Sequence, residues 1–565
     1  MFQIKTSNER FYLAVACLVA VVAILPIAFF GIPDGYDLPQ HFQFAQTYYD
    51  SLTNGDGFPS WSDKENFGYG GVGIRFYPPL AYYALAFARM LVGDWYNAAW
   101  LTFTFWMVLG CLGVYFWIRW WFSAKEAAIA ACFYAIIPYH LSQLYIAFNY
   151  AEFAASAILP FCFAFLTRVF QRGKTSDVLG LSISFGLLLI THLPLGLIGS
   201  ISLFVYALTL LQKKNFLKPV VKSAIGAVIG LAASAFYWVG MVGEMKWLNH
   251  ASDRYSTGHY GFAQSFFPFY FHALETDNKF SIILSDFAII LNLLFILSAV
   301  IYLIYRKNNW EKVEQPKSVF QTVVPLGLFA FFMVTPLSRP IWEIITPLQK
   351  VQFPARWLTI VSMCGAVVAA ASVHYLLKGN FLKRRVWAYG CLIFLSTVAL
   401  YNFVYIFHPT SFVPIAREKF ENQMQELPEA QSFNAWWSVW SKADALKTTQ
   451  KIVLETRQTK VISWEAEKRI FEVSAGNDAI ARVATFYYPH WQATVNGNSV
   501  EVGMDENGAI LIPVGSEKST VELYFQEPLM VRIASILSLI TWLFLSMVFV
   551  FIFVKKLFFT KQILR

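Results

Sequence analysis

Twelve apolar runs, each near the length that crosses a bilayer, leave this 565-residue chain few possible folds. They fall at about 11–30, 98–119, 125–141, 150–170, 176–192, 195–212, 220–240, 282–305, 319–337, 357–377, 386–407 and 532–554. Backbone crossing hydrocarbon must satisfy its own hydrogen bonds, so these runs predict helices. The composition agrees, with 57% hydrophobic, 18% aromatic and only 14% charged residues. The chain is expected to be a polytopic α-helical membrane protein. Its first run follows Lys5 and Arg10, is long enough to span, and ends without a small-x-small cleavage site. It reads as a retained anchor, not a secretory signal.

A net charge of +9 does not point to nucleic acid once its distribution is seen. Residues 408–530 hold 11 Lys/Arg against 16 Asp/Glu, so the basic surplus belongs to the membrane part. There it orients helices. The stretch 78–93, PPLAYYALAFARMLVG, is short, opens on two prolines and carries Arg89; we read it as an amphipathic juxtamembrane helix. With that reading 23 basic residues fall in cytoplasmic connections, against nine in the outward ones outside 408–530. Both termini are then expected in the cytoplasm, with 31–97, 241–281, 338–356 and 408–530 facing outward. All six cysteines (Cys17, Cys111, Cys132, Cys162, Cys364, Cys391) lie in apolar runs without a CxxC pair. They read as buried thiols.

The last outward region changes character. From about 450 it alternates as strands do, through KIVLET, KVISWE, RIFEVSA, ARVATFYY, WQATVNG, AILIPVG and TVELYFQE, with Asn496-Gly497 as a hairpin turn. The expected organisation is a transmembrane module over 1–407, a soluble 408–530 region that is mainly a small β-sandwich, and a final helix with a cytoplasmic tail over 531–565.

Ionisable residues gather at the outward ends of the spans, the expected meeting place of a lipid headgroup and a water-borne partner. In FFGIPDGYDLPQHFQFAQ (29–46), Asp34, Asp37 and His41 fall within eight residues. Asp37 opens a helix over 38–51 with Pro39 in its first turn, where it is either the N-cap or, with His41 four positions on, a group that orients or deprotonates an acceptor hydroxyl. Asp34, Asp37 and His41 are also the residues that would hold a divalent cation, if one is used. Arg75 and Tyr77 precede the double proline, and His140 and Glu152 flank the turn in PYHLSQLYIAFNYAEF. His192 sits in the turn THLP. In ITPLQKVQFPARWL, Lys350 and Arg356 flank Phe353-Pro354 on the side where basic residues are disfavoured. A phosphate or pyrophosphate headgroup would explain them; snorkelling to phospholipid is the alternative.

GYDLPQHF (35–42), YPPLAYY (77–83), PYHLSQLY with the following Ala-Glu (138–152), FPARWL (353–358) and YYPHWQATVNG (487–497), in this order, resemble the GT-C superfamily of polytopic glycosyltransferases. More narrowly, the chain resembles the YfhO-type bacterial membrane proteins and relatives described as 6-pyruvoyl-tetrahydropterin-synthase-related. The resemblance implies a GT-C-like fold of about twelve spans, with juxtamembrane helices in the first outward loop. It implies Asp37 as first-loop catalytic acid with His41 as its companion, and Arg356 near the donor phosphate. The segment 138–152 has no arginine where relatives often carry one before the Ala-Glu, which leaves that contact missing or assigned to Arg75 or Lys350. The implied activity is sugar transfer from a polyprenyl-phosphate carrier to an envelope acceptor outside the bacterial cytoplasmic membrane. A transporter or flippase of lipid-linked sugars and a non-catalytic binding protein are the competing readings. Against transport stand sparse midplane charges and the expectation of no discontinuous helices in symmetric positions.

Overall fold

The computed structural model describes residues 7–212, 216–251, 261–266, 318–377, 412–477 and 479–563. The expected spans 282–305 and 386–407, with Cys391, lie outside these residues. The other ten apolar runs all form helices. In chain order these begin with α1 (Ser7–Phe30), then α2 (Leu38–Thr53) and α3 (Leu80–Val92) in the first long loop. They continue through α4 (Trp95–Ile118), α5 (Ala124–Ile136), α6 (Pro138–Tyr145), α7 (Tyr150–Gln171), α8 (Thr175–Leu189), α9 (Leu193–Leu210), α10 (Leu217–Ala233) and α11 (Ala235–Glu244). After them come α12 (Val319–Val334), α13 (Leu358–Leu377), α14 (Arg417–Glu426) and α15 (Leu529–Ile563). At 13 residues α3 is about 20 Å long, short of a hydrocarbon core of about 30 Å.

Among the described residues, six helices are long and apolar enough to cross a membrane, or nine spans if three bent pairs each count as one. The bends are 41° between α5 and α6, 72° between α10 and α11, and 87° between α12 and the turn that follows it. The sequence reading anticipated none of these breaks. Two have a visible cause, since Pro138 and Pro336 each force an extended residue before them, at Ile137 and Thr335. The third falls at Ser234. Each bend turns the chain across one end of the bundle. Non-helical backbone is tolerated near a membrane where it is buried in protein or lines a polar cavity.

The core of the bundle forms around α7, which is buried nearly all round and packs against α4, α8 and α9. α1 and α15 leave most of their apolar surface uncovered, as expected of helices facing lipid. Beyond residue 450 nine strands form two antiparallel sheets, ordered β3-β6-β10-β9 and β4-β5-β11-β7-β8. They are β3 (Ile452–Val453), β4 (Thr459–Trp464), β5 (Lys468–Val473), β6 (Ala479–Phe486), β7 (Trp491–Val495), β8 (Asn498–Val500), β9 (Gly503–Met504), β10 (Ala509–Val514) and β11 (Ser519–Phe525). Alternating residues such as Phe471, Val483, Ile510 and Leu523 point into one shared core. Asn496 and Gly497 both take positive φ and turn β7 into β8, as their dipeptide requires.

Residues 412–440 do not join these sheets. β1 (Ile32–Pro33) pairs with β2 (Pro414–Ile415), and the stretch from Leu427 then lies along α2. Gln43 donates to the carbonyls of Leu427 and Ala430, and Asn66 accepts from Ser432. Farther on, Leu248 bridges Ser438. The segment is thus clamped between the first loop and the residues beyond α11.

Candidate functional site: an open polar cleft at one end of the bundle

Asp37 precedes α2, but its backbone is helical (φ −93°, ψ −1°) and its carboxylate makes no capping bond. A side-chain cap needs an extended backbone at that position. Among the described residues the carboxylate has no hydrogen-bond partner. Gly35 sets its position: a Cβ there would stand 2.4 Å from Phe148 Cβ, so only glycine lets this turn press against the Ala147–Phe148 backbone. Asp37 is exposed, yet the protein packed around it raises its pKa to about 6 through burial, opposed by the charge of Arg356 and reinforced by Glu152.

Arg356 and Glu152 form the wall facing Asp37. Glu152, 1% exposed in the first turn of α7, accepts from Arg356 Nε at 3.1 Å. Its other oxygen accepts from Tyr139 Oη at 3.1 Å and Gln143 Nε2 at 2.8 Å. Tyr139 and Gln143 are four residues apart on α6, so the helix after the first bend presents both to one carboxylate. Arg356 Nη1 donates to the Val351 carbonyl at 2.6 Å, and its guanidinium lies 5.3 Å from the Phe353 ring centre. Its Nη2 has no partner among the described residues. Lys350, in the same loop, is exposed and makes no ion pair among them.

An aromatic lining closes the cleft. Tyr77 packs on Phe44 at 5.0 Å and meets Trp436 edge-on at 4.8 Å. Trp436 comes from the clamped 412–440 segment and was invisible as a site residue in the sequence. The charges of Asp37, Arg356 and Glu152 all act on Tyr77, which places the four side chains together.

Several expected residues take other roles. The His41 ring is 2% exposed among Tyr77, Tyr82, Phe148 and Tyr150, with Nδ1 2.6 Å from the Tyr82 hydroxyl. Burial holds its pKa down to about 3, so it is a neutral supporting ring out of an acceptor's reach. Asp34 is exposed, and its N–H pairs with the Val413 carbonyl beside the β1–β2 bridge. Arg75, expected to meet phosphate, instead donates four hydrogen bonds to Glu244 and Glu527. A guanidinium so occupied has little left for a ligand. His140 is wedged between Tyr134 and Phe153, with Ser156 at 3.2 Å. His192 caps α9 by accepting from the Leu195 N–H at 3.2 Å. Among the described residues no three His, Cys, Asp or Glu side chains converge on a metal position.

Fold and cleft define a membrane protein of many apolar helices whose broken ends build one polar site. The chain belongs to the 6-pyruvoyl-tetrahydropterin synthase related domain family of membrane proteins, which it matches over residues 74–406. No curated protein matches it. Among solved structures it is similar to the apo oligosaccharyltransferase of Archaeoglobus fulgidus, at 14% identity and a TM-score of 0.46, over 73% of this chain and 57% of that one. It is also similar to the same organism's AglB in complex with an inhibitory peptide and a dolichol-phosphate (15%, TM-score 0.41, 74% and 57% of the two chains). A third similarity is to ArnT from Cupriavidus metallidurans bound to undecaprenyl phosphate (13%, TM-score 0.31, 74% and 91%). The chain thus spans little more than half the length of the archaeal enzyme.

Proposed function

We propose that this protein transfers a sugar from a polyprenyl-phosphate-linked donor to an envelope acceptor at the outer face of the bacterial cytoplasmic membrane. The observation that carries the reading is Asp37, a carboxylate with no hydrogen-bond partner among the described residues and within reach of the charge of Arg356. Asp37 accepts the proton of an acceptor hydroxyl as its oxygen attacks the anomeric carbon. The bond from that carbon to the phosphate oxygen breaks, the lipid phosphate leaves with the electron pair, and the configuration inverts. Lys350 and the Nη2 edge of Arg356 stabilise the charge that develops on the departing phosphate.

Purified protein in nanodiscs, given radiolabelled polyprenyl-phosphate sugars and envelope extract, tests this. Wild type is expected to release polyprenyl phosphate, and Asp37→Asn to release none while folding normally. With a pKa of about 6, Asp37 must lose its proton to act. The rate should therefore rise with pH, about tenfold per unit below 6, and level off above 7. Wild-type protein that binds lipid phosphate but turns over no donor would replace the enzyme by a transport or binding role.

A further inference from the structure

The inner face of the five-stranded sheet carries a guanidinium among its apolar side chains. Side chains alternate along β5, so Arg469 shares its face with Phe471 and Val473, and all three are 0% exposed. The hairpin from β4 into β5 closes with the Glu465 N–H donating to the Lys468 carbonyl at 2.8 Å, which sets Trp464 opposite Arg469. Trp491 comes in from β7, two strands away on the other side. The guanidinium carbon lies 5.0 Å from the Trp464 ring centre and 4.7 Å from that of Trp491. Trp61, from the first loop, meets Trp491 edge-on at 5.3 Å.

The indole rings attract the charge but leave its N–H groups without acceptors. Nη1 reaches the Ala466 carbonyl at 3.4 Å. Nε and Nη2 are buried and have no hydrogen-bond partner among the described residues, and the same holds for the indole N–H groups of Trp491 and Trp61. Nε and Nη2 form one edge of the guanidinium, the fork that takes both oxygens of a carboxylate. Burial pulls the pKa of Arg469 down to about 10, against the charge of Asp63, so the group is still a cation at neutral pH. Asp63 is half-buried and makes no hydrogen bond to it. A buried cation with an unmatched edge costs free energy that an anion on that edge offsets.

We propose that the free edge of Arg469 binds a carboxylate, which enters past Trp464. Trp464 is half-exposed at the end of the edge strand β4, whereas Trp491 and Trp61 are 2% and 1% exposed. Lys451 is exposed and lies over the Trp464 ring at 5.1 Å, so an arriving anion meets a cation at the entrance as well. The carboxylate of a small acid and that of an acidic sugar share this chemistry, and a neutral sugar lacks it. The site stands apart from Asp37 and Arg356 and does not depend on the sugar-transfer reading.

Calorimetric titration and melting of the full chain in nanodiscs at pH 7.5 test this, with sodium acetate and sodium glucuronate as probes and glucose as the uncharged control, all at one ionic strength. Wild type should bind glucuronate, acetate or both at one site per chain and melt higher when they are present. Arg469→Lys keeps the charge but loses the fork, and should weaken binding about tenfold or more. Arg469→Met should abolish binding and, without ligand, melt no lower than wild type, because it removes a buried unpaired charge instead of creating one. Tighter binding of glucuronate assigns the site to an acidic sugar; equal or tighter binding of acetate assigns it to a small acid. Wild type that responds to neither carboxylate overturns the proposal and leaves the edge to water. Binding that survives Arg469→Met, or glucose bound as well as glucuronate, overturns it too. Carboxylate binding seen in Asp63→Asn alone would give the edge to Asp63, the chain's own carboxylate, in place of a ligand.

Discussion

Asp37 stands at the start of a helix without serving it. The first turn of α2 manages otherwise: Leu38 N–H donates to the Gly35 carbonyl, His41 N–H to the Asp37 carbonyl, and Pro39 has no N–H to satisfy. The carboxylate is left with the cost of its surroundings, and its raised pKa gives that cost a sign. An acid whose folded pKa is raised binds its proton more tightly when folded, so native stability falls as pH climbs from about 4 to about 6 and is level above. Asp37→Ala should therefore melt at the same or a higher temperature than wild type at pH 7.5, with any gain gone at pH 4. A true N-cap would lose about 1 kcal/mol on the same change. A clear drop in melting temperature at pH 7.5 would restore the capping role.

At the scale of elements, what was legible in the sequence was periodic and what was missed was distant. Ten apolar runs and seven alternating stretches became helices and strands because each pattern is decided within a few residues of itself. The aromatic wall, by contrast, depends on Trp436 being carried to Tyr77 by a separate segment, and nothing local marks it. In the sequence Glu152 only flanks a turn, and in the fold it sits in the first turn of α7. Its partner Arg356 is 204 residues away, beyond any spacing a single sequence exposes. α6 exists to complete that pair, ending one helix at Pro138 and turning Tyr139 and Gln143 onto the carboxylate. Breaking a buried pair strands a charge and costs about 3–5 kcal/mol. With Arg356 partly open, Glu152→Gln should cost about 3 kcal/mol in unfolding experiments; a loss below about 1 kcal/mol would mean the pair behaves as an exposed one.

At the scale of the molecule, one buried node ties the two-sheet region to the bundle. Glu244, at the end of α11, accepts from Arg75 Nε at 3.1 Å and Nη2 at 3.0 Å, from the Tyr488 hydroxyl at 2.6 Å, and pairs with His490 Nε2 at 3.0 Å. Arg75 also grips Glu527, just before α15, and lies against the Phe525 ring of β11. First loop, broken span, β region and final helix thus share one ion cluster. The sequence displays the charge of Arg75 but not the two carboxylates that hold it. Arg75→Met leaves both carboxylates short of their cation, one of them buried, and should loosen the sheets from the bundle. Limited proteolysis should then cut the 441–450 connection faster than in wild type, while the folded fraction binds dodecyl methyl phosphate, a short lipid phosphodiester, with unchanged affinity. The reverse pattern, lost binding with wild-type protease resistance, would make Arg75 an anion ligand and leave the cluster without its joining role.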